Sequence, residues 1–410
     1  MSAMLMPHPV FKFQRIQSEI RSTILYSRHF THHMGLISTL LFPRKQFILH
    51  PVSPCVMFRT FLALLLTAAF SCSTAALPAK FSPQPAYPLA HNSPLVAHDP
   101  NIIQHRGFYY LFKGGIGVPF SKSKTLDGPW EDMGPVLTGP SIIPKQNRTR
   151  PWAPAVIAKD NTFYCFYTVS HRGSNDSAIG IATSKELRSG AWKDHGAIIQ
   201  TGTGPGSQKY PFKEANAIDP HVFIDPKDEQ AYLIFGSFFS GMWQIPLSSD
   251  ILSLKDPEHI DATRLATKPE DVKPNDEEGG FMTYRDGWYY FWFSHGKCCH
   301  FDPKHLPEDG KEYSIRVGRS KNARGPFTDK NGKPLTSGGG HVVYGSNHNK
   351  KVYAPGGLGV LSDRSQDILY YHFLNTSVGL RHTDAYMGWS YLEYINGWPV
   401  AKYEPVNSRA

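Results

Sequence analysis

The apolar positions of this chain gather into short runs separated by turns, and no long amphipathic helical pattern interrupts them. Five runs stand out by aromatic content: Phe108-Tyr-Tyr-Leu-Phe112, Phe163-Tyr-Cys-Phe-Tyr167, Ala231-Tyr-Leu-Ile-Phe235, Trp288-Tyr-Tyr-Phe-Trp-Phe293 and Leu369-Tyr-Tyr-His-Phe373. Continuous β-formers of this length read as buried strands. Each run follows a turn rich in Gly, Asp, Asn or Gln, and an earlier apolar run precedes that turn. The earlier runs open at Pro100, Pro154, Pro220, Gly280 and Gly357. Several units continue into a third segment, as in Ile179-Gly-Ile-Ala-Thr-Ser184 and Ile315-Arg-Val-Gly-Arg-Ser320. Each unit thus reads as a hairpin plus one or two more antiparallel strands. Small sheets repeated around an axis make a propeller, so the expected fold is all-β, a five-bladed β-propeller.

The repeat allows equivalent positions to be compared. The residue before the Pro or Gly that introduces each unit (Pro100, Pro154, Pro220, Gly279 and Pro355) is Asp99, Ala153, Asp219, Glu278 or Ala354. First strands line the central channel of a propeller, so these residues are expected to converge at one mouth. Three of them are carboxylic acids. Such a ring can bind a hard cation through oxygen, hold sugar hydroxyls, or hydrolyse a glycoside with one protonated and one ionised carboxyl. In the last case the third carboxylate raises the pKa of the acid. Asp before Pro is also a common turn residue. That reading accounts for any one of the three but not for their shared position.

The surroundings suit a sugar. Trp152 precedes the second unit's position and offers an indole face for stacking, with blade-core packing as the alternative. Asn216 lies three residues before Asp219 and can bond hydroxyls, or serve only as a turn residue. Ser237 and Phe238 end the third aromatic strand and are candidates for the pocket floor. His372 interrupts an aromatic strand, either as a satisfied core residue or as a metal or water ligand in the channel. Cys298 and Cys299 are adjacent, which permits a vicinal disulfide or two reduced thiols.

Charge bears on partners. The chain carries 43 Lys+Arg against 34 Asp+Glu, a net +9, which on its face suggests nucleic acid. Residues 1–76 hold seven of those bases and a single acid, Glu19, leaving only +3 for 77–410. Within that leader, Met57-Phe-Arg-Thr, an apolar core over 61–70 and the small-residue exit to Ala76 form a secretory signal peptide pattern. The core is too short to span a bilayer comfortably. The expected organisation is a mis-extended N-terminus or leader over 1–56, a signal peptide over 57–76 and one catalytic domain over 77–410. An organelle leader or a signal anchor are the alternatives for the first segment. The expected product is a secreted, extracellular monomer with no nucleic-acid partner and no membrane attachment after cleavage. Sequons at Asn147, Asn175 and Asn375 suit a glycoprotein.

Taken in order, His98-Asp-Pro-Asn-Ile-Ile, Trp152-Ala-Pro, Asn216-Ala-Ile-Asp-Pro, Phe235-Gly-Ser-Phe, Glu278-Gly, Ser294-His-Gly-Lys-Cys-Cys, Tyr353-Ala-Pro-Gly-Gly and Tyr370-Tyr-His resemble the endo-arabinanases of glycoside hydrolase family 43. The resemblance runs from about residue 95 to 400. It implies an inverting hydrolase with Asp99 as general base, Glu278 as general acid and Asp219 tuning and orienting that acid. Inversion implies a base–acid separation of ~6.5–9.5 Å. The resemblance also implies calcium or a similar metal ion in the central channel beside His372, and arabinan as substrate. Two departures bear on substrate preference: Trp152-Ala-Pro-Ala155 where Trp-Ala-Pro-Asp is common, and Gly236-Ser-Phe-Phe239 where Trp is frequent in the last place. The expected activity is internal cleavage of α-1,5 linkages in pectic arabinan. An exo-acting arabinofuranosidase or β-xylosidase on the same scaffold and a non-catalytic carbohydrate-binding propeller are the alternatives.

Overall fold

The computed structural model describes residues 87–363 and 366–406. The expected leader and signal peptide lie outside the described residues. Five antiparallel sheets succeed one another along the chain. Blade 1 comprises Asn101–His105, Phe108–Phe112, Pro119–Ser123 and Glu131–Pro135; blade 2 comprises Trp152–Lys159, Thr162–Val169, Ala178–Ser184 and Lys193–Gln200. Blade 3 is His221–Ile224, Ala231–Phe235, Met242–Pro246 and Thr263–Ala266; blade 4 is Glu277–Arg285, Trp288–His295, Ser314–Ser320 and His341–Tyr344. Blade 5 contains Tyr353–Asp363, Gln366–Leu374 and Tyr386–Ile395. The expected five-bladed propeller is the fold observed, and each aromatic run is the second strand of its blade.

Blade 5 is completed from the other end of the domain. His91–Val96 pairs with Tyr386–Ile395 through His91↔Trp389 and Val96↔Tyr386. Trp398–Lys402 takes the far half of the same strand, Ile395 pairing with Trp398. The ring is therefore closed by strand pairing between its first and last segments, which removes a free edge.

The second strands read as unbroken apolar runs because both of their faces are buried. In blade 4, Phe291 and Phe293 join Phe223 and Ile234 of blade 3, whereas Tyr290 and Trp292 join Leu369 and Tyr371 of blade 5. The same alternation gives one core at each of the five blade junctions. Stability is thus distributed around the ring rather than pooled in a single centre.

The first strands begin with a recurrent backbone kink. Six residues before the last paired residue of each hairpin stand Asp99, Ala153, Asp219, Gly279 and Gly357. All five have left-handed φ, from 38° at Ala153 to 64° at Gly279. This corrects the equivalence drawn from the opening Pro or Gly, which holds for blades 1 to 3 only. In blade 4 the true position is Gly279, so Glu278 stands one residue earlier, and in blade 5 it is Gly357 rather than Ala354. Bulges between Glu278 and Phe281, and between Tyr353 and Gly359, displaced the count.

Side chains from the preceding blade secure this kink. Asp219 N–H donates to Thr168 Oγ1 at 3.1 Å, Gly357 N–H to Ser294 Oγ at 3.0 Å, and Asp99 N–H to His372 Nδ1 at 3.1 Å. His372 therefore occupies the place that Thr168 and Ser294 hold in their own blades, an acceptor that ends the second strand.

Truncating Leu233, fully buried between blades 2 and 3, is expected to cost about 2–5 kcal/mol. The denaturant midpoint of Leu233→Ala against wild type measures it, and an unchanged midpoint would contradict junction-based packing.

Candidate active site

The kinked strand starts surround one end of the channel. Asp99, Ala153, Asp219, Gly279, Gly357 and Tyr313 line a narrow cavity of about 50 Å³ there. That volume holds one or two waters and no sugar ring, so a saccharide would rest above it with only a reacting water below.

Asp99 and Asp219 line this cavity, and Glu278 stands beside it, one residue before the lining Gly279 and bonded to the lining Tyr313. Asp99 is flanked by two imidazoles, with His98 Nδ1 3.0 Å from its Oδ2 and His372 Nδ1 3.4 Å from its Oδ1. Glu278 accepts hydrogen bonds from Ser237 Oγ at 2.6 Å and Tyr313 Oη at 3.0 Å. An isolated bridge between Ser237 and Glu278 fixes the two backbones side by side. Asp219 receives the N–H of Gly279, the residue after Glu278.

Their titration follows from these partners. Burial alone would raise Asp99, but the His98 charge and the bonds from both imidazoles outweigh it and hold Asp99 well below the usual carboxylate range. Burial raises Asp219 well above that range, reinforced by the charges of Glu278 and Asp99. Burial likewise raises Glu278, and the Asp99 charge adds to it, while Ser237 and Tyr313 partly offset the rise. One carboxyl thus titrates below the ordinary carboxylate range and two above it. Among the neighbouring imidazoles, burial and the His98 charge push His372 and His382 down to about 4, while Asp99, against the effect of burial, holds His98 above the ordinary histidine value. His98 alone of the three carries the positive charge.

The remaining expected residues are placed as follows. Trp152 is half-buried and immediately precedes the cavity-lining Ala153. Asn216 is 5% exposed and its Oδ1 accepts from Ser177 Oγ at 2.7 Å, so part of its capacity serves the fold. Ser237 bonds Glu278 directly, and Phe238 follows it in left-handed conformation with its carbonyl held by Asn275 Nδ2 at 2.9 Å. Cys298 and Cys299 form a vicinal disulfide. Sequence reasoning did not single out His98 or Tyr313. His98 was visible only as the neighbour of Asp99, and Tyr313 enters from the segment before Ser314–Ser320, which has no counterpart in the repeat.

The model of the family described as "Glycosyl hydrolases family 43" matches residues 93–399, most of the chain. The chain belongs to glycosyl hydrolase family 43. Its relatives include the "Probable arabinan endo-1,5-alpha-L-arabinosidase D" of Emericella nidulans, 52% identical over 80% of this chain and 87% of the relative. The "Arabinan endo-1,5-alpha-L-arabinosidase B" of the same organism is 45% identical over 77% and 86%. Among solved structures, the Cellvibrio cellulosa alpha-L-arabinanase complexed with arabinohexaose is 25% identical with a TM-score of 0.65, covering 75% of this chain and 96% of that one. An endo-arabinanase from Bacillus licheniformis is 29% identical with a TM-score of 0.61, covering 75% and 98%.

A Cβ placed on Gly357 would lie 2.2 Å from Asp99 Oδ1 and 2.5 Å from His372 Nδ1. On Gly107, also at positive φ, it would meet nothing within 4 Å. Gly357→Ala is therefore expected to destabilise by about 1–3 kcal/mol more than Gly107→Ala, as read from paired thermal melts. Equal losses would contradict the crowding around Asp99.

Proposed function

We propose that this protein is an inverting endo-1,5-α-L-arabinanase acting on arabinan. The observation that carries this reading is the opposite titration of three buried carboxyls gathered at one site. Asp99, ionised by its two imidazole neighbours, acts as general base toward a water at the cavity floor. Glu278, kept protonated by burial and by the charge of Asp99, donates a proton to the leaving oxygen. Asp219 and Glu278 titrate as a coupled pair, since the charge left by the first ionisation opposes the second. The Gly279 N–H bond to Asp219 ties that partner to the strand carrying the acid. A binding module needs no such division, which favours an enzyme over a non-catalytic propeller. The substrate follows from the named relatives, and secretion follows from the signal peptide pattern over 57–76.

Substrate would be oriented by Trp152 stacking on a furanose face and by the polar groups around the cavity. An ion in the channel would be held beside His372 through water, because Nδ1 accepts the Asp99 N–H and Nε2 then carries the ring proton. A calcium ion takes six to eight oxygens, so water would complete its shell. Its charge would further stabilise ionised Asp99.

Glu278→Gln is expected to lower kcat on linear arabinan by about 10²–10⁴-fold with an unchanged melting temperature. Near-normal turnover would remove Glu278 from the acid role. Wild type should yield a ladder of oligosaccharides; monomer alone would indicate exo action, and no cleavage a binding protein. Dialysis against a chelator is expected to reduce either activity or melting temperature, and no change in both would remove the metal from the account.

A further inference from the structure

One cluster shares His98 with the site and adds two groups that the proposed hydrolysis does not use. Cys299 Sγ and ring nitrogens of His98 and His382 all lie within 4.8 Å of one another. The ring centroids of His98 and His382 lie 4.3 Å apart at an interplanar angle of 38°, and His300, next to the disulfide, lies 5.4 Å from His382. His382 is exposed and Cys299 is partly exposed, so the cluster is reachable from solvent. The disulfide to Cys298 occupies the one sulfur that would complete a two-imidazole, one-thiolate set.

We propose that Cys298–Cys299 is a redox gate over an inhibitory zinc site made of Cys299, His98 and His382. A dithiol reductant transfers two electrons and two protons to the disulfide: its own sulfurs close into a disulfide, and Cys298 and Cys299 become thiols. Zinc then displaces the protons of Cys299 Sγ and of the His98 imidazolium Nε2, and accepts lone pairs from Cys299, His98 and His382. Tetrahedral zinc places nitrogen and sulfur ligands roughly 3.3–3.7 Å apart, so the three groups need to draw in by about 1 Å. His98 is already prepared for this, because its Nδ1 faces the Asp99 carboxylate at 3.0 Å, leaving Nε2 for the metal. In the oxidised protein a disulfide sulfur is a poor ligand and the two imidazoles alone make a weak site.

The consequence falls on Asp99. Zinc bound to His98 replaces an exchangeable imidazolium with a fixed divalent centre, withdraws electron density from Asp99 and obstructs approach to the cavity. Reduction would thus make hydrolysis zinc-sensitive. This last step rests on Asp99 being the general base; the binding step does not.

The test uses the full chain, titrated with zinc in competition with a chromophoric chelator and assayed in parallel on linear arabinan. Dithiol-reduced wild type is expected to bind one zinc per chain and to lose about tenfold or more in rate, part of what a general base contributes. Oxidised wild type should do neither. Cys298→Ser leaves Cys299 free and should bind zinc without reductant, whereas reduced Cys299→Ser and His382→Ala should not bind it. Thermal melts verify that each variant is folded. Equal zinc binding in oxidised and reduced wild type, or a folded Cys298→Ser that fails to bind zinc, would overturn the site. Stoichiometric binding with unchanged hydrolysis would overturn the gate.

Discussion

Three buried carboxyl groups gathered at one site oppose one another's ionisation, and this repulsion governs the chemistry of the molecule. The charge goes to Asp99 because His98 and His372 face it from both sides. Asp219 and Glu278 have hydroxyl or backbone donors instead, and these only partly offset burial. Acid and base are thus distinguished by neighbours rather than by residue type, an arrangement that suits hydrolysis by inversion.

The propeller supplies the rigidity that this division needs. Each carboxyl comes from a different blade, so its position relative to the others depends on the blade junctions. Those junctions are packed by residues such as Tyr290 and Trp292 on one side of a strand and Phe291 and Phe293 on the other. The kinks at Asp99 and Asp219 turn two carboxyls toward the axis, and their backbone N–H groups are held by the blade before. Such left-handed residues cost of order 1–3 kcal/mol each and persist where surrounding structure enforces them. Blade 5 places Gly357 at this position, where any side chain would collide with Asp99 and His372.

Much of this was legible in the residue order. The second strands announced themselves because two buried faces leave no room for polar alternation, and five of them implied five blades. Asp99 and Asp219 could be matched because Pro follows both. Glu278 was paired with them by an inexact count: Gly279-Gly280 and Gly356-Gly357 concealed the bulges, and counting back from the hairpin turns places Gly279 and Gly357 instead. Glu278 still reaches the site because Ser237 bridges it across the blade junction. Tyr313, the stacking of His98 on His372 and its tilted contact with His382 left no periodic trace, since they arise where nonrepeating segments cross the mouth. The sequence allowed Cys298 and Cys299 to be thiols or a disulfide, and only their joined geometry decides between the two.

The central claim is that His98 keeps Asp99 ionised while Glu278 stays protonated. The pH dependence of kcat/KM on a soluble arabino-oligosaccharide tests it most directly, comparing wild type with His98→Ala. Activity requires Asp99 without its proton and Glu278 with one, so the acidic limb reports Asp99 and the basic limb Glu278. Wild type should show an acidic limb below, and a basic limb above, the ordinary carboxylate range. Loss of the His98 cation should move the acidic limb upward, toward neutral pH. An acidic limb that stays in place in His98→Ala would contradict the account.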